Sequence, residues 1–340
     1  MGTMHVADEA AWLALREANI GGSEIAALFY RWLCPDGTEV IRHLYEEPPE
    51  GAIVIECLCS HTTGYRLWQQ KAGRLQPAML DGVERVDAGK FLEPALAEWA
   101  KSKWHGWPLR KVHRYIAHDQ VDGWGASLDY EIHGDGMTGV PIEFKNVDYL
   151  IFRDQWLAEG DEILMPPIHI NLQLQHQMGA IGKDHGWIVT CVGGNTLLRG
   201  KIMRHEPSQA RIAQAVISFW NGVKAGIKPE LVADYEAVAD EFRYGETNKA
   251  VAALDLTADA SMPALCRRYL RIKKHANRIE TYLDNLKGRL ALRLGNQARA
   301  KAQGFRLTWP VIERDEKEIP ARIQKAMTYR GALTITGEKQ

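Results

Sequence analysis

The sequence contains few cysteines, and their number and spacing exclude two kinds of stabilising site. Five cysteines are scattered along the 340 residues. An odd and scattered set is not a disulfide framework, and Cys57 and Cys59 are too close together for a usual zinc knuckle. The twelve histidines are dispersed as well, and His113 and His118 have no partner pair that would complete a zinc site. We therefore expect neither disulfide bonds nor zinc.

Long apolar segments and a leader-like N-terminus are missing too. No run of apolar residues is long enough to span a bilayer, and the first residues do not show a basic segment followed by an apolar one. The hydrophobic content of 46% and the charged content of 25% are ordinary for a soluble globular protein. We expect a cytoplasmic protein with no membrane partner, built as one large domain or as a core with an appendage.

The overall charge is nearly balanced, but the basic residues are concentrated near the C-terminus. The formal net charge is −1, whereas residues 261–310 hold twelve Lys and Arg residues against two acids, a local charge of +10. A block of one sign is usually an interaction surface, and nucleic acid is the leading partner. The alternative is a solvated helix face. Arg267, Arg268 and Arg271 are the candidate DNA contacts in this block.

The same basic block has a helical pattern. Apolar residues recur at three- and four-residue spacing through residues 263–295, which predicts one long helix with a heptad-like repeat. Short strands are expected at 303–313 and 330–337. We divide the chain into a core, residues 1–230, and a C-terminal extension, residues 231–340. The extension could pack back on the core or pair between subunits.

The core sequence alternates between helical and strand patterns. Residues 10–30 predict a helix, a loop and a helix, whereas residues 31–62 carry no clear pattern. The remaining predicted elements are helices near 64–72, 88–104, 150–158, 168–182 and 207–225 and strands near 109–117, 124–132, 139–146, 186–193 and 197–204.

An acidic pair on adjacent predicted strands is the most informative local feature. Asp129 lies on one strand, and Glu143 and Lys145 lie two residues apart on the next, so these two point to the same face. A turn-forming segment at 132–136 would fold the second strand back and bring Asp129 beside them. Adjacent carboxylates resist joint ionisation, and a divalent cation relieves their repulsion. The arrangement suits metal-assisted hydrolysis of phosphodiesters, with Lys145 orienting or deprotonating water.

The acidic pair also has a simpler interpretation. An edge strand whose alternate polar residues face solvent gives the same spacing, and Asp119, Asp122 and Asp135 compete with Asp129 as the partner acid. The spacing alone therefore does not decide the function. Further motifs in the same chain favour the metal site.

Five short motifs follow one another over roughly residues 10–230. They are Arg16 followed by IGGSEIAAL at 20–28, GYRLWQQKAG at 64–73, FLEPAL at 91–96, Asp129 with EFK at 143–145, and NLQLQHQMG at 171–179. In order and spacing they resemble the PD-(D/E)xK nucleases, and more narrowly the YqaJ-like viral recombinase, or lambda-exonuclease, family. Each motif has low specificity by itself, but five motifs in this order are hard to obtain by chance.

The resemblance implies a fold and an activity. The expected fold is α/β, a restriction-endonuclease-like mixed central sheet flanked by helices, with the basic helical extension added. The expected activity is Mg²⁺-dependent degradation of linear double-stranded DNA from a 5′ end, which leaves a 3′ single strand for phage-type recombination in a bacterial or phage-infected cell. The alternatives are an endonuclease or repair nuclease on the same core, or a non-catalytic DNA-end-binding recombination protein.

The resemblance also implies partners. Proteins of this family form ring-shaped homo-oligomers, for example trimers, that enclose double-stranded DNA ends, and they work with a single-strand annealing protein. Some relatives in the wider superfamily carry an iron–sulfur cluster on four cysteines. The C-terminal cysteines that would hold such a cluster are missing from this sequence, so we expect none.

The resemblance assigns phosphate contacts to Arg16 and Ser23. Ser23 follows two glycines and precedes an apolar run, so it also fits a simple helix N-cap. A helix N-terminus with a hydroxyl group is a ready phosphate site. Glu93 is assigned to the metal site from an amphipathic helix, although a Glu in a first helical turn can serve the helix dipole alone. Glu98 is the neighbour that could be confused with it.

The metal ligands implied by the resemblance are Asp129 and Glu143, with the carbonyl of Phe144 as a third. Oxygen ligands suit Mg²⁺ or Mn²⁺. Lys145 would activate water and stabilise charge on the phosphate, and Gln173 would help to hold water or phosphate. The sequence departs from the family where Leu128 replaces Pro and where Tyr130 replaces the more usual Gly.

Overall fold

The fold is taken from a computed structural model that describes residues 2–5, 9–76, 82–105, 107–134, 137–243, 255–303 and 305–309. The chain divides into two compact units, residues 1–241 and residues 242–340. Each unit is described by itself.

The first unit contains two sheets. In the described residues their strands are β1 (Gly2–His5), β2 (Phe29–Leu33), β3 (Glu39–His43), β4 (Ile53–Cys57), β5 (Leu109–Ala117), β6 (Gly125–Gly134), β7 (Met137–Val147), β8 (Leu157–Glu159), β9 (Glu162–Met165), β10 (His185–Val192) and β11 (Thr196–Met203).

Helices cover both faces of the larger sheet. The described helices of this unit are α1 (Glu9–Glu17), α2 (Gly64–Lys71), α3 (Glu84–Lys103), α4 (Tyr149–Gln155), α5 (Ile168–Ile181), α6 (Glu206–Ala225) and α7 (Tyr235–Arg243), with 3₁₀ turns at Ile25–Leu28 and Glu230–Val232.

The larger sheet is mixed. Its strand order is β1-β5-β6-β7-β10-β11-β9-β8. Strands β5, β6 and β7 form an antiparallel meander, and β7 then pairs in parallel with β10. A parallel neighbour requires a crossover connection, and the chain from β7 to β10 supplies one that contains α5. The predicted fold class, a mixed central sheet flanked by helices, is confirmed.

The crossover helix α5 and the helix α3 pack on opposite faces of this sheet. Leu174 and Met178 of α5 are fully buried with Ile188 of β10. On the other face, Leu96 of α3 packs with Ile142 of β7. This sandwich fixes β7 between two helices, and β7 is the strand that carries the predicted site.

The stretch 31–62 forms the small sheet β3-β2-β4, which the sequence analysis did not identify. The central residue Arg31 donates to Glu56 at 2.8 Å and to Glu39 at 3.2 Å. These exposed ion pairs link β2 to both neighbouring strands, but surface ion pairs add little to stability. The apolar residues Ile53, Val54 and Ile55 of β4 are all exposed, and an alternating pattern is therefore missing.

The second unit contains the predicted long helix. Helix α8 spans Met262–Leu294, close to the expected range, and a hairpin of β12 (Arg299–Ala302) and β13 (Phe305–Thr308) follows it. The hairpin overlaps the strand expected at 303–313, whereas the strand expected at 330–337 lies outside the described residues. Across the part of the chain that the structure describes, no helix is both long and apolar enough to cross a bilayer.

Gly179 marks the closest approach of α5 to the core. A Cβ atom at this position would clash with the Trp124 ring and the Gln209 side chain. By contrast, a Cβ atom at Gly89, on the exposed part of α3, would meet nothing within 4 Å. The two helical glycines therefore predict opposite responses to the same substitution.

We expect Gly179→Ala to lower the free energy of unfolding by about 2–3 kcal/mol, because overpacking forces the core to shift. Gly89→Ala should raise it by up to ~1 kcal/mol, because alanine is the better helix former. Urea unfolding measures both changes, provided that the slope of the free energy of unfolding against urea concentration is the same in each variant. Equal effects of the two substitutions would contradict the packing described for α5.

Candidate active site

The acidic pair lies where β6 and β7 run side by side. The paired register of β6 and β7 reaches Tyr130 opposite Ile142, and Asp129 and Glu143 come next on their strands. The carboxylates of both residues lie near enough to Glu93 of α3 to raise its pKa. Glu143 is 8% exposed, whereas Asp129 is exposed to solvent. The structure therefore brings these two predicted carboxylates together at one edge of the core.

Lys145 joins the strand to the crossover helix. Its ammonium group donates to Glu143 Oε1 at 2.7 Å and to Gln173 Oε1 at 3.0 Å. The first bond confirms that Glu143 and Lys145 share a face of β7. The second places Gln173 beside the predicted site, as its motif suggested.

Gln177 completes this network, although no role was predicted for it from the sequence. Its amide nitrogen donates to Glu143 Oε2 at 2.9 Å in a buried environment. Gln173 and Gln177 are four residues apart and therefore share a face of α5, which is the signal that could have identified it. Each oxygen of the Glu143 carboxylate thus accepts a hydrogen bond from a different residue.

The intervening residue Gln175 anchors α5 from its other side. Its amide nitrogen donates to the carbonyl of Met203 at 2.8 Å, and its side-chain oxygen accepts from the backbone N–H of His205 at 3.0 Å. Gln209 donates to the Gln175 carbonyl at 2.8 Å. The helix is therefore fixed by polar contacts on the side away from the site, so Gln173 and Gln177 have little freedom to move.

Glu93 belongs to the same electrostatic group. Burial is the largest cause that raises its pKa, and the nearby carboxylates of Asp129 and Glu143 add to it. Against the opposing effect of Lys111 and Lys145, the result is a pKa of about 7. The three predicted acids therefore interact, although they come from three separate elements. A carboxyl group with a raised pKa is typical of a functional site in which several acidic side chains lie close together.

The position of Glu93 within its helix differs from the expectation. Helix α3 begins at Glu84, so Glu93 lies in the helix interior and not in a first turn. The helix-dipole explanation for Glu93 is therefore wrong. Pro94 follows inside the helix, and because proline has no N–H group it cannot donate the usual bond to the preceding turn.

The loop with Ser23 lies directly against α5. A Cβ atom at Gly22 would be 3.4 Å from Gln173 Cγ and 3.5 Å from Gln177 Cγ, so the loop approaches the two amide side chains closely. The following helix is a short 3₁₀ turn whose N-cap is Glu24, not Ser23. The predicted capping role of Ser23 and the regular helix after it are therefore wrong, and Ser23 instead lines a groove beside Lys145.

Arg16 lies on the other side of this loop. Its guanidinium is 3.8 Å from the Glu24 carboxylate and 4.8 Å from the centre of the Trp12 ring. Lys71, which is buried, also pairs with Glu24 at 3.2 Å. Arg16 is not among the residues that line the groove, although its charge helps to lower the pKa of His61 there. Its assignment as a phosphate contact stays a prediction.

The groove beside Lys145 has a volume of about 490 Å³. Besides Ser23, Lys145 and Gln173 it is lined by residues that the sequence analysis did not single out, chiefly His61, Arg85, Asn146 and His169. Burial lowers the pKa of His61 and of His169, and the charge of Lys145 lowers both further. Asn146 follows Lys145 on β7. The other three reach the groove from a loop and two helices far apart in sequence, so no local motif marks them.

The donor set fits a hard divalent cation. Asp129 and Glu143 offer carboxylate oxygens on adjacent strands, and both carboxylates act with burial to raise the pKa of Glu93. Within the described ranges, no three His, Cys, Asp or Glu side chains converge as a metal centre. Mg²⁺ commonly binds through one or two carboxylates and keeps several waters, so this donor set suits Mg²⁺ better than zinc. Ligation by Phe144 and Glu93 stays a prediction.

Comparison with known proteins gives a similarity of fold. No family model matches the chain, and no curated protein does. The fold is similar to that of an alkaline exonuclease. This is LHK-Exo from Laribacter hongkongensis, at 18% identity over 64% of this chain and 94% of that one, with a TM-score of 0.44. Its complex with dAMP gives a TM-score of 0.43 over the same shares at 18% identity.

A second solved structure is more distant. SSO0001 matches at 18% identity over 44% of this chain and 73% of its own, with a TM-score of 0.29. These similarities concern the fold. They leave the role of each site residue to be tested.

The raised pKa of Glu93 predicts how stability depends on pH. An acid whose pKa is raised by folding stabilises the protein at low pH, and this contribution is lost as the pH rises through the folded value. We compare the free energy of unfolding of Glu93→Gln with that of the wild type in metal-free buffer. The difference should shift in favour of the variant by about 1–2 kcal/mol from pH 5 to pH 8, after allowance for solvent screening. Urea unfolding at the two pH values measures the difference.

Glu98 on the same helix provides the matched control. It is exposed and pairs with Lys101 at 2.7 Å, and it is not among the groups that shift the pKa of Glu93. Glu98→Gln should show no comparable difference between the two pH values. The same pH response in both variants would mean that Glu93 is not coupled to Asp129 and Glu143.

Proposed function

We propose that this chain is a divalent-metal-dependent deoxyribonuclease that acts as an exonuclease on linear double-stranded DNA. The observation that carries the proposal is the network of Glu143, Lys145, Gln173 and Gln177, which borders an open groove. A simple solvent-facing edge strand does not account for it, because Glu143 is buried and both of its oxygens are held. The network supplies the parts that phosphodiester hydrolysis requires.

Asp129 and Glu143, with the predicted help of Glu93 and the Phe144 carbonyl, would hold Mg²⁺, or Mn²⁺ in its place. When bound, such a cation lowers the pKa of a coordinated water and stabilises charge on the phosphate. Gln177 holds the Glu143 carboxylate in one orientation through their 2.9 Å bond. Gln177 is therefore a positioning residue in this proposal.

Lys145 would act on the reacting groups directly. Its ammonium carries three N–H donors, of which Glu143 and Gln173 accept two. Because Lys145 lines the groove, the third donor can reach a phosphate oxygen or an attacking water. A fixed cation at this position stabilises negative charge as it develops on the phosphate.

The groove would receive the end of a DNA strand. Ser23 contributes a hydroxyl group and Arg85 a positive charge to its wall, and both can contact phosphate. From the family resemblance, we propose attack from the 5′ end and release of a 3′ single strand for recombination. The same resemblance supports a ring-shaped homo-oligomer around the duplex and an annealing protein as partner.

The first test of the proposal is release of nucleotides from linear, 5′-phosphorylated duplex DNA. Lys145→Ala should reduce release by about 10²–10³-fold, as for loss of one preorganised charge donor, and EDTA should abolish it. Lys101→Ala is the matched control, because Lys101 pairs only at the surface with Glu98, and it should retain full activity.

Substrate form separates the proposal from its alternatives. Cleavage of closed circular DNA at the same rate as linear DNA would indicate an endonuclease. DNA binding without release, by wild type and variant alike, would indicate a non-catalytic end-binding protein. Labelling of each end then sets the direction of degradation.

The basic helix α8 gives a second prediction about DNA. Neutralising Arg267, Arg268 and Arg271 to Gln should weaken binding to all sequences alike and reduce the slope of log K against log salt by about 2–3, since each phosphate contact contributes roughly 0.9. Fluorescence anisotropy across a salt series measures the slope, and circular dichroism checks the helix.

A variant with three lysines of the first unit changed to Gln, at positions 101, 201 and 224, has the same change in net charge. It should alter the slope much less. An unchanged slope in the arginine variant would exclude α8 as a DNA surface.

A further inference from the structure

Helix α8 has two chemically different faces. Arg267, Arg271, Lys274 and Arg278 follow one another at spacings of four, three and four residues, so they form one cationic stripe along the helix. The apolar residues follow the same spacing on another line. The stripe and the apolar line are therefore separate surfaces of one helix.

The apolar line is an unbroken heptad seam, which we define by eight residues. Alternate spacings of four and three residues place them at the a and d positions of a coiled coil. None of the residues of α8 is buried, and six seam side chains are between 39% and 62% exposed. The seam residues are Leu265, Tyr269, Ile272, Ala276, Ile279, Leu283, Leu286 and Leu290.

We propose that the seam pairs with the same seam of other copies of this chain, in a parallel coiled coil. Pairing in register places each seam residue against its own copy, so large residues meet large ones and Ala276 meets Ala276. Leu283 and Leu290 occupy a positions, and Ile272 and Ile279 occupy d positions. Leu at a and Ile at d favour a coiled coil of more than two helices.

The length of the seam is sufficient for a stable assembly. The 33 residues of α8 extend over about 50 Å at 1.5 Å per residue. Eight seam residues per helix, burying on the order of 80 Å² each, would remove roughly 1,300 Å² from water for each helix pair, which is within the range of specific interfaces. A continuous apolar line of this length is uncommon on a surface that contacts only water.

The charges beside the seam determine how salt acts on the assembly. The e and g positions carry Arg268, Lys273, Lys287 and Arg289 against Glu280, so neighbouring copies repel. Screening weakens that repulsion, and self-association should strengthen with salt. DNA binding by the cationic stripe should weaken with salt. The two surfaces can therefore be distinguished by the sign of their response to one variable.

The test is the mass of the full-length protein in solution without DNA, measured by sedimentation equilibrium at 0.1 M and 0.5 M salt. We expect a multiple of the 38.3 kDa chain, with at least a tenfold tighter association at the higher salt concentration. Ile279→Glu, at the centre of the seam, should reduce the mass by at least one association step. This inference does not depend on nuclease activity, which is assayed separately.

Leu292→Glu is the matched control on the same helix. Leu292 is 84% exposed and lies off the seam, so the variant should associate like the wild type. Ile279→Leu, which keeps an apolar seam, should associate as well and separates a seam effect from misfolding.

A cross-link provides an independent check. Ala276→Cys should form a disulfide between copies under oxidising conditions, because in a parallel pair the two residues at this position face each other. A monomer at both salt concentrations, or an oligomer that Ile279→Glu leaves intact, would overturn the proposal.

Discussion

The buried carboxylate of Glu143 is the constraint on which the candidate site depends. A charge removed from water must be paired and hydrogen-bonded, and Glu143 meets this requirement through Lys145 on its own strand and Gln177 on α5. The crossover helix is therefore held at a fixed height over β7. Gln175 fixes the opposite side of the helix, so the site is as rigid as the core beneath it.

Much of this arrangement could be predicted from the sequence. The meander of β5 to β7, the helix α5 and the shared face of Glu143 and Lys145 follow from local periodicity, which the pleat and the helix turn preserve. The long helix α8 follows from its heptad spacing in the same way. The placement of Gln173 beside Lys145 came from the family resemblance, and the structure agrees with it.

What the sequence did not show depends on contacts between distant residues. The small sheet pairs β2 with β4, which are not neighbours in the sequence, and no alternating pattern marks β4. Ser23 resembles a cap by its neighbours alone, but the loop is shaped by its contact with α5. The start of α3 at Glu84 lies before the predicted start near 88, so Glu93 lies deeper in the helix than a first-turn position.

The path of the crossover has a consequence for the order of folding. Between β7 and α5 the chain first visits the far edge of the sheet, where β9 pairs with β11 through Glu162 and Arg199. That pairing needs a strand made later in the sequence, so α5 is bounded by a segment that cannot dock early. Non-local pairings form slowly, and the glutamines over Glu143 should be among the last groups to reach their native positions. A chain caught before that step would have an intact meander and no organised site.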